Sequence, residues 1–215
     1  VLATASILLL MFTPLSFLAL KITENKPVDI PKGFDWQGHR GCRGLLPENS
    51  IPAFLKALEF PGVSTLELDL AVSKDNQVIV SHEPWFNPSI CLLPNGNPIP
   101  AKDSIKYLIY QLTAEEIRGF DCGSLGNPRF PQQQKLKTYK PTLREVVEAV
   151  RPIRKDIRWN IEIKSQPGWD GLRHPAVETF VQMVVAEVRA LGLEKQVTIQ
   201  SFDVREYFDL LRLDI

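Results

Sequence analysis

Residues 33–54, GFDWQGHRGCRGLLPENSIPAF, contain a short apolar segment, a polar corner that starts at His39, a loop, and the start of an amphipathic helix. Ser50 is suited to the N-cap of that helix, because a serine hydroxyl can accept a backbone N–H at a helix start. A strand, a loop and a helix in this order form one βα unit. If the rest of the chain repeats the unit, the fold is α/β with a parallel sheet.

The rest of the chain does repeat it. Five segments have the apolar, β-branched composition of buried strands: Phe34–Gln37, Ser64–Val72, Gln77–Val80, Trp159–Ile163 and Gln196–Gln200. Five helical patterns alternate with them, at Ser50–Phe60, Thr113–Gly119, Thr142–Val150, His174–Leu191 and Arg205–Leu213. Thr113 and Thr142 each precede a glutamate by three residues, which predicts a capping box at both helices.

One long segment interrupts the alternation. Residues 83–141 are rich in proline, glycine and asparagine and follow the third predicted strand directly. A connection of this length in a compact domain is usually functional or an inserted subdomain. We expect it to cover the ends of the strands.

The first twenty residues contain no charged side chain, which is typical of a secretory signal peptide or a membrane anchor. Residues 21–33 are polar and punctuated by proline, as in a tether, and the domain is expected over 34–215. The sequence thus predicts a protein exported to the periplasm or the extracellular space, or anchored in the membrane and facing outward. The 25 basic and 25 acidic residues give no net charge, so no bulk electrostatic footprint for nucleic acid is present.

Three cysteines are present, and an odd number leaves at least one thiol outside any disulfide within the chain. Cys91 and Cys122 both lie in the loop-rich segment and could form a disulfide. No C-x-x-C pair occurs, which argues against a zinc or redox motif. Cys42 is interpreted as a small packing residue.

Two predicted strands carry charged residues at alternate positions. Glu67 and Asp69 share one strand face, and so do Glu162 and Lys164. Carboxylates packed together among apolar residues need a compensating cation, and hard oxygen ligands suit Mg²⁺ or Ca²⁺. A solvated acidic edge strand and a structural ion pair are the alternative interpretations.

Two of the three histidines, His39 and His82, directly follow predicted strands, whereas His174 lies in a polar turn and is discounted. Two imidazoles can serve as general base and general acid, while Arg40 and Lys164 could hold an anion. Gly41 is expected to let the backbone approach that anion. Together with the carboxylates, these residues describe metal-assisted phosphodiester hydrolysis.

Five motifs carry a resemblance to a known family: HRGCRGLLPENSIPAF, LELDLAVSKDNQVIVSHE, PTLREVVEAV, IEIK and TIQSFD. In this order they resemble the glycerophosphodiester phosphodiesterase family over about residues 34–208. The resemblance implies a TIM-type (β/α)₈ barrel with a small insertion after the third strand. It also implies hydrolysis of glycerophosphodiesters to glycerol 3-phosphate and an alcohol.

The resemblance also implies roles for individual residues. His39 and His82 match the acid–base pair, Arg40 and Lys164 the phosphate contacts, and Glu48 a supporting glutamate. The family's metal ligands are matched by Glu67, Asp69 and Glu162. These residues would bind a divalent cation, Mg²⁺ or Ca²⁺.

Two features depart from the family pattern. Glu83 stands after the second histidine where the family usually has aspartate. Only about five of eight barrel strands are counted before Ile215, so we expect the barrel to be incomplete at its C-terminus.

Two other functions remain open at this point. A phospholipase acting on intact lipid would need an apolar lip on the insertion, for which Trp85, Phe86 and Ile90 are candidates. A non-catalytic barrel that binds glycerophosphoryl groups would not need the two histidines.

Overall fold

The computed structural model describes residues 33–212, and this part of the chain has mixed α/β structure. Its strands are β1 (Trp36–Gly38), β2 (Val63–Val72), β3 (Val78–Val80), β4 (Arg158–Ile163) and β5 (Val197–Ser201). Its α-helices are α1 (Ile51–Ala57), α2 (Ala114–Arg118), α3 (Leu143–Val150), α4 (Val177–Ala190) and α5 (Val204–Arg212).

Four strands form a parallel sheet in the order β1-β2-β4-β5. Helices α1, α3, α4 and α5 follow these strands along the chain, so each strand begins a βα unit of the kind that (β/α)₈ barrels repeat. The predicted α/β class with a parallel sheet is therefore confirmed.

The two faces of the sheet differ in polarity because side chains alternate along each strand. On β2 the alternate residues Leu66, Leu68 and Leu70 are fully buried and belong to one core cluster with the helices. The intervening residues Glu67 and Asp69 point to the opposite face. Strand β2 thus anchors the sheet to the helices on one side and presents its carboxylates on the other.

Strand β3 differs from the expected arrangement. It pairs antiparallel with the C-terminal end of β2, with Leu70 opposite Val80 and Val72 opposite Val78. The assumption that residues 77–80 belong to the parallel sheet is therefore wrong, and four of the described strands, not five, lie on the parallel path. The hairpin forms because β2 runs two residues beyond its pairing with β4, and Asn76 turns the chain with a φ of 62°.

The long segment after β3 forms most of a second hydrophobic core, to which Ala71 of β2 and Ile79 of β3 also belong. Phe86 and Ile90 are buried there, with Phe86 stacked on Phe120 at a ring-centroid distance of 3.7 Å. A disulfide joins Cys91 to Cys122, as the sequence allowed, and Cys42 is a free, half-buried thiol. The segment is thus a folded subdomain.

The predicted helix starts are confirmed where a capping residue defines them. Ser50 caps α1, and both capping boxes are formed, by Thr113 with Glu116 and by Thr142 with Glu145. Helix α4 begins at Val177 and not at His174, because the His174 ring is buried and bonded to the preceding turn.

The predicted signal or anchor and most of the tether, residues 1–32, lie outside the described residues. Among residues 33–212, no helix has the length and apolar character needed to cross a bilayer.

We predict that the disulfide stabilises the chain by about 3–4 kcal/mol, the value expected for closing a loop with a sequence separation of 31. Urea unfolding of the Cys91→Ser/Cys122→Ser variant should show this loss, and dithiothreitol should destabilise the parent but not the variant. Cys42→Ser is the matched control and should keep the parent's response to reductant. Equal stability of the parent and the double variant would contradict the prediction.

Candidate active site

Three buried carboxylates meet at the C-terminal end of the parallel sheet. Glu67 and Asp69 lie on β2, and Glu162 lies on β4 directly opposite Asp69. One oxygen from each carboxylate can be chosen so that all three lie within 4.8 Å of one another. The register of two parallel strands therefore assembles the set that the sequence suggested.

The electrostatics of this cluster fit a bound cation. Burial and the neighbouring Asp69 raise the pKa of Glu67 to about 7, because three carboxylates are held together away from water. A donor set of carboxylate oxygens is the type that Mg²⁺ and Ca²⁺ prefer. The three residues are thus suitable ligands for a divalent metal.

Arg40 neutralises part of this charge from the loop after β1. Its backbone is left-handed, with a φ of 51°, and its N–H donates to Glu67 Oε2 at 2.7 Å. Its guanidinium donates to Glu48 Oε1 at 2.8 Å and lies 3.2 Å from Asp69 Oδ2. Glu48 therefore holds Arg40 in place over the carboxylates.

The glycine after Arg40 has a packing role. Gly41 has a φ of +78°, and a Cβ there would come within 2.6 Å of the backbone carbon of Ala53 on α1. Gly41 is needed so that the corner can lie against the helix.

Lys164 extends from the end of β4 into the same cluster. Its Nζ lies 3.1 Å from Asp69 Oδ1 and contacts Glu162. The ion pair considered as the structural alternative is therefore present. Because its partners Asp69 and Glu162 are both candidate metal ligands, Lys164 lies at the candidate site and forms a salt bridge there at the same time.

Both candidate histidines line one cavity of about 460 Å³ with Arg40, Glu67, Glu162 and Lys164. His39 is half-exposed, and its Nε2 lies 3.7 Å from Glu67 Oε2. Burial lowers the pKa of His39, and so does the positive charge of Arg43. The neutral imidazole, which can accept a proton, is therefore favoured.

His82 reaches this cavity by the β2–β3 hairpin. Because β3 runs back along β2, the N–H of Ser81 donates to the Asp69 carbonyl at 2.8 Å, and His82 follows at the level of the carboxylates. The sequence analysis placed His82 at the end of a parallel strand. Its position is as expected, but the antiparallel return is the reason for it.

Several polar residues at the site were not identified from the sequence. Asn49 has a φ of 54°, and its Nδ2 donates to Asp69 Oδ2 at 2.8 Å. On the polar sheet face, Gln200 Nε2 donates to Glu162 Oε2 at 3.3 Å, and Asn160 Nδ2 donates to Gln37 Oε1 at 2.8 Å. The one available signal was the alternation of Asn160 with Glu162 and of Thr198 with Gln200, which marks them as same-face residues.

His174 lies away from this cavity and has a structural role. Its Nε2 accepts from the Gln166 N–H at 3.1 Å, and its Nδ1 lies 2.6 Å from the Pro175 carbonyl oxygen. These bonds hold the turn between β4 and α4.

A larger cleft of about 820 Å³ adjoins the carboxylates and shares His82, Glu162 and Lys164 with the smaller cavity. Its walls include Trp85 from the inserted subdomain and Trp169 from the loop after β4, which meet edge to face at 5.9 Å. The Arg173 guanidinium packs over both rings, 5.0 Å and 4.7 Å from their centroids. The cleft is thus an open space with an aromatic wall beside the charged cluster.

Comparisons with known proteins agree with this geometry. The model of the glycerophosphoryl diester phosphodiesterase family matches residues 39–213. A glycerophosphodiester phosphodiesterase from Caldanaerobacter subterraneus subsp. tengcongensis is 30% identical over 77% of this chain and 56% of its own length.

Solved structures share the fold. A provisionally named glycerophosphoryl diester phosphodiesterase from Silicibacter pomeroyi superimposes with a TM-score of 0.76 and 27% identity, over 86% of this chain and 63% of that one. A phosphodiesterase from Oleispira antarctica was solved with its product sn-glycerol-3-phosphate. It superimposes with a TM-score of 0.61 and 20% identity, over 84% of this chain and 62% of that one. The chain spans about half the length of the curated relatives it matches.

We predict that Glu67→Gln abolishes stabilisation by divalent cations. Mg²⁺ or Ca²⁺ at 100 times its dissociation constant should stabilise the parent by about 2.7 kcal/mol, measured as a rise in the thermal midpoint. The variant should be at least as stable as the parent without added cation, because one repelling carboxylate is removed.

The exposed Glu194 offers a matched control, since Glu194→Gln makes the same chemical change away from the cluster. Glu194→Gln should keep the full response to the cation. A Glu67→Gln variant that responds as strongly as the parent would show that the ion binds elsewhere.

Proposed function

The chain belongs to the glycerophosphoryl diester phosphodiesterase family, and from this we propose that it hydrolyses glycerophosphodiesters to glycerol 3-phosphate and an alcohol. One observation carries the proposal. Two histidines, two basic side chains (Arg40 and Lys164) and the three buried carboxylates lie together at one end of the parallel sheet. Binding alone would need no pair of imidazoles next to a metal site. The product found with the Oleispira antarctica protein is the one that this reaction would release.

We propose Glu67, Asp69 and Glu162 as the ligands of a divalent cation, Mg²⁺ or Ca²⁺. Such an ion would supply Lewis-acid stabilisation of negative charge on the reacting oxygens. Asn49 would hold Asp69 in its ligating orientation, since the Asn49 amide donates to one of its two oxygens.

The two histidines would divide the proton transfers between them. His39, whose neutral form is favoured, would accept a proton from the attacking hydroxyl. His82 would donate a proton to the oxygen of the departing alcohol. In the second step, in which water opens the cyclic phosphate formed in the first, the roles would reverse: His82 would take a proton from the water and His39 would return its proton to the glycerol oxygen.

Arg40 and Lys164 would bind the phosphate. Both side chains are fixed by carboxylates, so their positive charge is held at the cavity in a single place and little reorganisation is needed. Arg40 is suited to a bidentate contact, and Lys164 acts as a point charge.

The departing alcohol would lie in the aromatic cleft, which continues from His82 and Lys164 past Trp85 and Trp169. Of the three residues suggested for a lipid-binding lip, Phe86 and Ile90 are buried in the second core and only Trp85 reaches the cleft. This favours a small glycerophosphodiester over an intact lipid.

We also propose that the protein acts outside the cytoplasm, exported or anchored by its apolar N-terminal residues. The Cys91–Cys122 disulfide supports an oxidising compartment.

We predict that His39→Ala and His82→Ala each lower kcat by about 10²- to 10⁴-fold for release of glycerol 3-phosphate from glycerophosphocholine. EDTA should abolish the parent's turnover, and Mg²⁺ or Ca²⁺ should restore it. His174→Asn is the control: it should lower stability but leave kcat close to the parent's. Unchanged turnover in His82→Ala would contradict the acid–base roles, and a folded, cation-binding parent with no turnover would indicate a binding protein.

We predict that Trp85→Leu raises KM for glycerophosphocholine by about 3- to 10-fold, the loss expected for one aromatic contact, with little change in kcat. Trp36→Leu, a partly exposed tryptophan on β1 outside the cleft, is the matched control and should leave both constants unchanged. A fall in kcat at constant KM would place Trp85 outside the leaving-group site.

A further inference from the structure

A pair of opposite charges lies next to His82: the partly buried Glu83 carboxylate and a buried ammonium group. The Nδ1 atom of His82 is 3.2 Å from Glu83 Oε1, off the direction of a regular hydrogen bond. Both His82 Nδ1 and the second oxygen of Glu83 are buried, with no hydrogen-bond partner among the described residues. The separation itself is within the range of an N–H···O hydrogen bond.

The positive charge is that of Lys140, at the end of the inserted subdomain. Lys140 is buried, and its Nζ donates to Ser81 Oγ at 2.8 Å, which in turn donates to the Glu83 carbonyl oxygen at 2.6 Å. Within residues 33–212, no carboxylate oxygen lies within 4.0 Å of this ammonium group. A buried, unpaired ammonium group is costly, so its retention calls for a compensating charge nearby.

Glu83 provides that charge through space. Burial lowers the pKa of Lys140, and the Glu83 carboxylate opposes this effect. Burial alone would raise the pKa of Glu83, but His82 and Lys140 outweigh it and lower the pKa to about 2. Glu83 is therefore ionised throughout the neutral range.

We propose that Glu83, balanced by the buried Lys140, is a positioning residue that keeps the proton on His82 Nδ1 and directs Nε2 to the substrate. The proposal rests on the acid role given to His82 under the proposed function. About a third of the His82 side chain is exposed, on the side of the cavities, whereas Nδ1 is buried against Glu83. Nε2 is thus the nitrogen available for the reaction.

The proton balance is simple. In the imidazolium both nitrogens carry a proton; Nε2 gives its proton to the oxygen of the departing alcohol, and Nδ1 keeps its own beside Glu83. The carboxylate stays ionised throughout, so it orients the ring and stabilises its charged form without taking the proton.

The net field on His82 comes from several elements. Lys140 acts through space from the end of the inserted segment, and Glu83 lies beside the ring and lines two of the cavities. The other charged or titratable groups that line the cavities around His82 are His39, Arg40, Glu48, Glu67, Arg129, Glu162, Lys164 and Asp203. Removing Glu83's charge must destabilise the imidazolium, whereas removing the charge of Lys140 must stabilise it. The two substitutions should therefore shift the titration midpoint of His82 in opposite directions. A loss of packing at either position would not produce this pattern.

The test is a ¹⁵N–¹H NMR titration of the histidine side chains, with the His82 signals assigned by their loss in His82→Gln. In the parent, the neutral ring should be the Nδ1–H tautomer. Glu83→Gln should lower the titration midpoint by about one pH unit, and Lys140→Met should raise it. In turnover assays the same limb of the kcat–pH profile should move with each midpoint, at unchanged KM.

Two variants serve as controls. Glu83→Asp keeps the charge and should keep the midpoint near the parent's, and Lys137→Met removes an exposed lysine of the same segment without effect. An Nε2–H tautomer in the parent would overturn the proposal even if no variant folds, as would midpoints that stay fixed or move together. The NMR readout is independent of turnover, so an inactive protein with the expected tautomer and shifts would refute the proposed function and leave the positioning pair intact.

Discussion

The buried negative charge of Glu67, Asp69 and Glu162 is the constraint on which the site depends. Strand alternation forces these carboxylates onto one face, while the leucines of β2 hold the other face against the helices. Charges so close and so far from water must be compensated. The loop after β1 supplies Arg40, the end of β4 is followed by Lys164, and we propose that an oxygen-coordinated cation compensates the remaining charge.

Strand β2, which carries two of the three carboxylates, is the longest of the described strands. Its C-terminal end passes beyond β4 and pairs with β3, whose return brings Ser81 beside Asp69. A parallel strand in this position would have required a crossover connection before it. The hairpin delivers His82 to the carboxylates within a few residues, and the chain then leaves directly into the inserted subdomain.

Local sequence features were sufficient to predict the elements and the charged residues. The capping boxes at Thr113 and Thr142 and the same-face pair of Glu67 and Asp69 follow from fixed spacings that neighbouring residues alone determine. The direction of β3 could not be predicted, because a three-residue apolar strand has the same composition whether its partner is parallel or antiparallel. Contacts across long separations were also hidden: Lys140 meets Ser81 from 59 residues away.

The inserted subdomain is therefore part of the site and more than a cover for it. It begins directly after His82, and Lys140 near its other end donates to Ser81, so the two ends of the segment meet beside His82. The second core and the Cys91–Cys122 disulfide hold the segment together against the β2–β3 hairpin, while Trp85 forms a wall of the cleft. The fold of this segment therefore sets the distance between the buried Lys140 and the Glu83 carboxylate that compensates its charge through space.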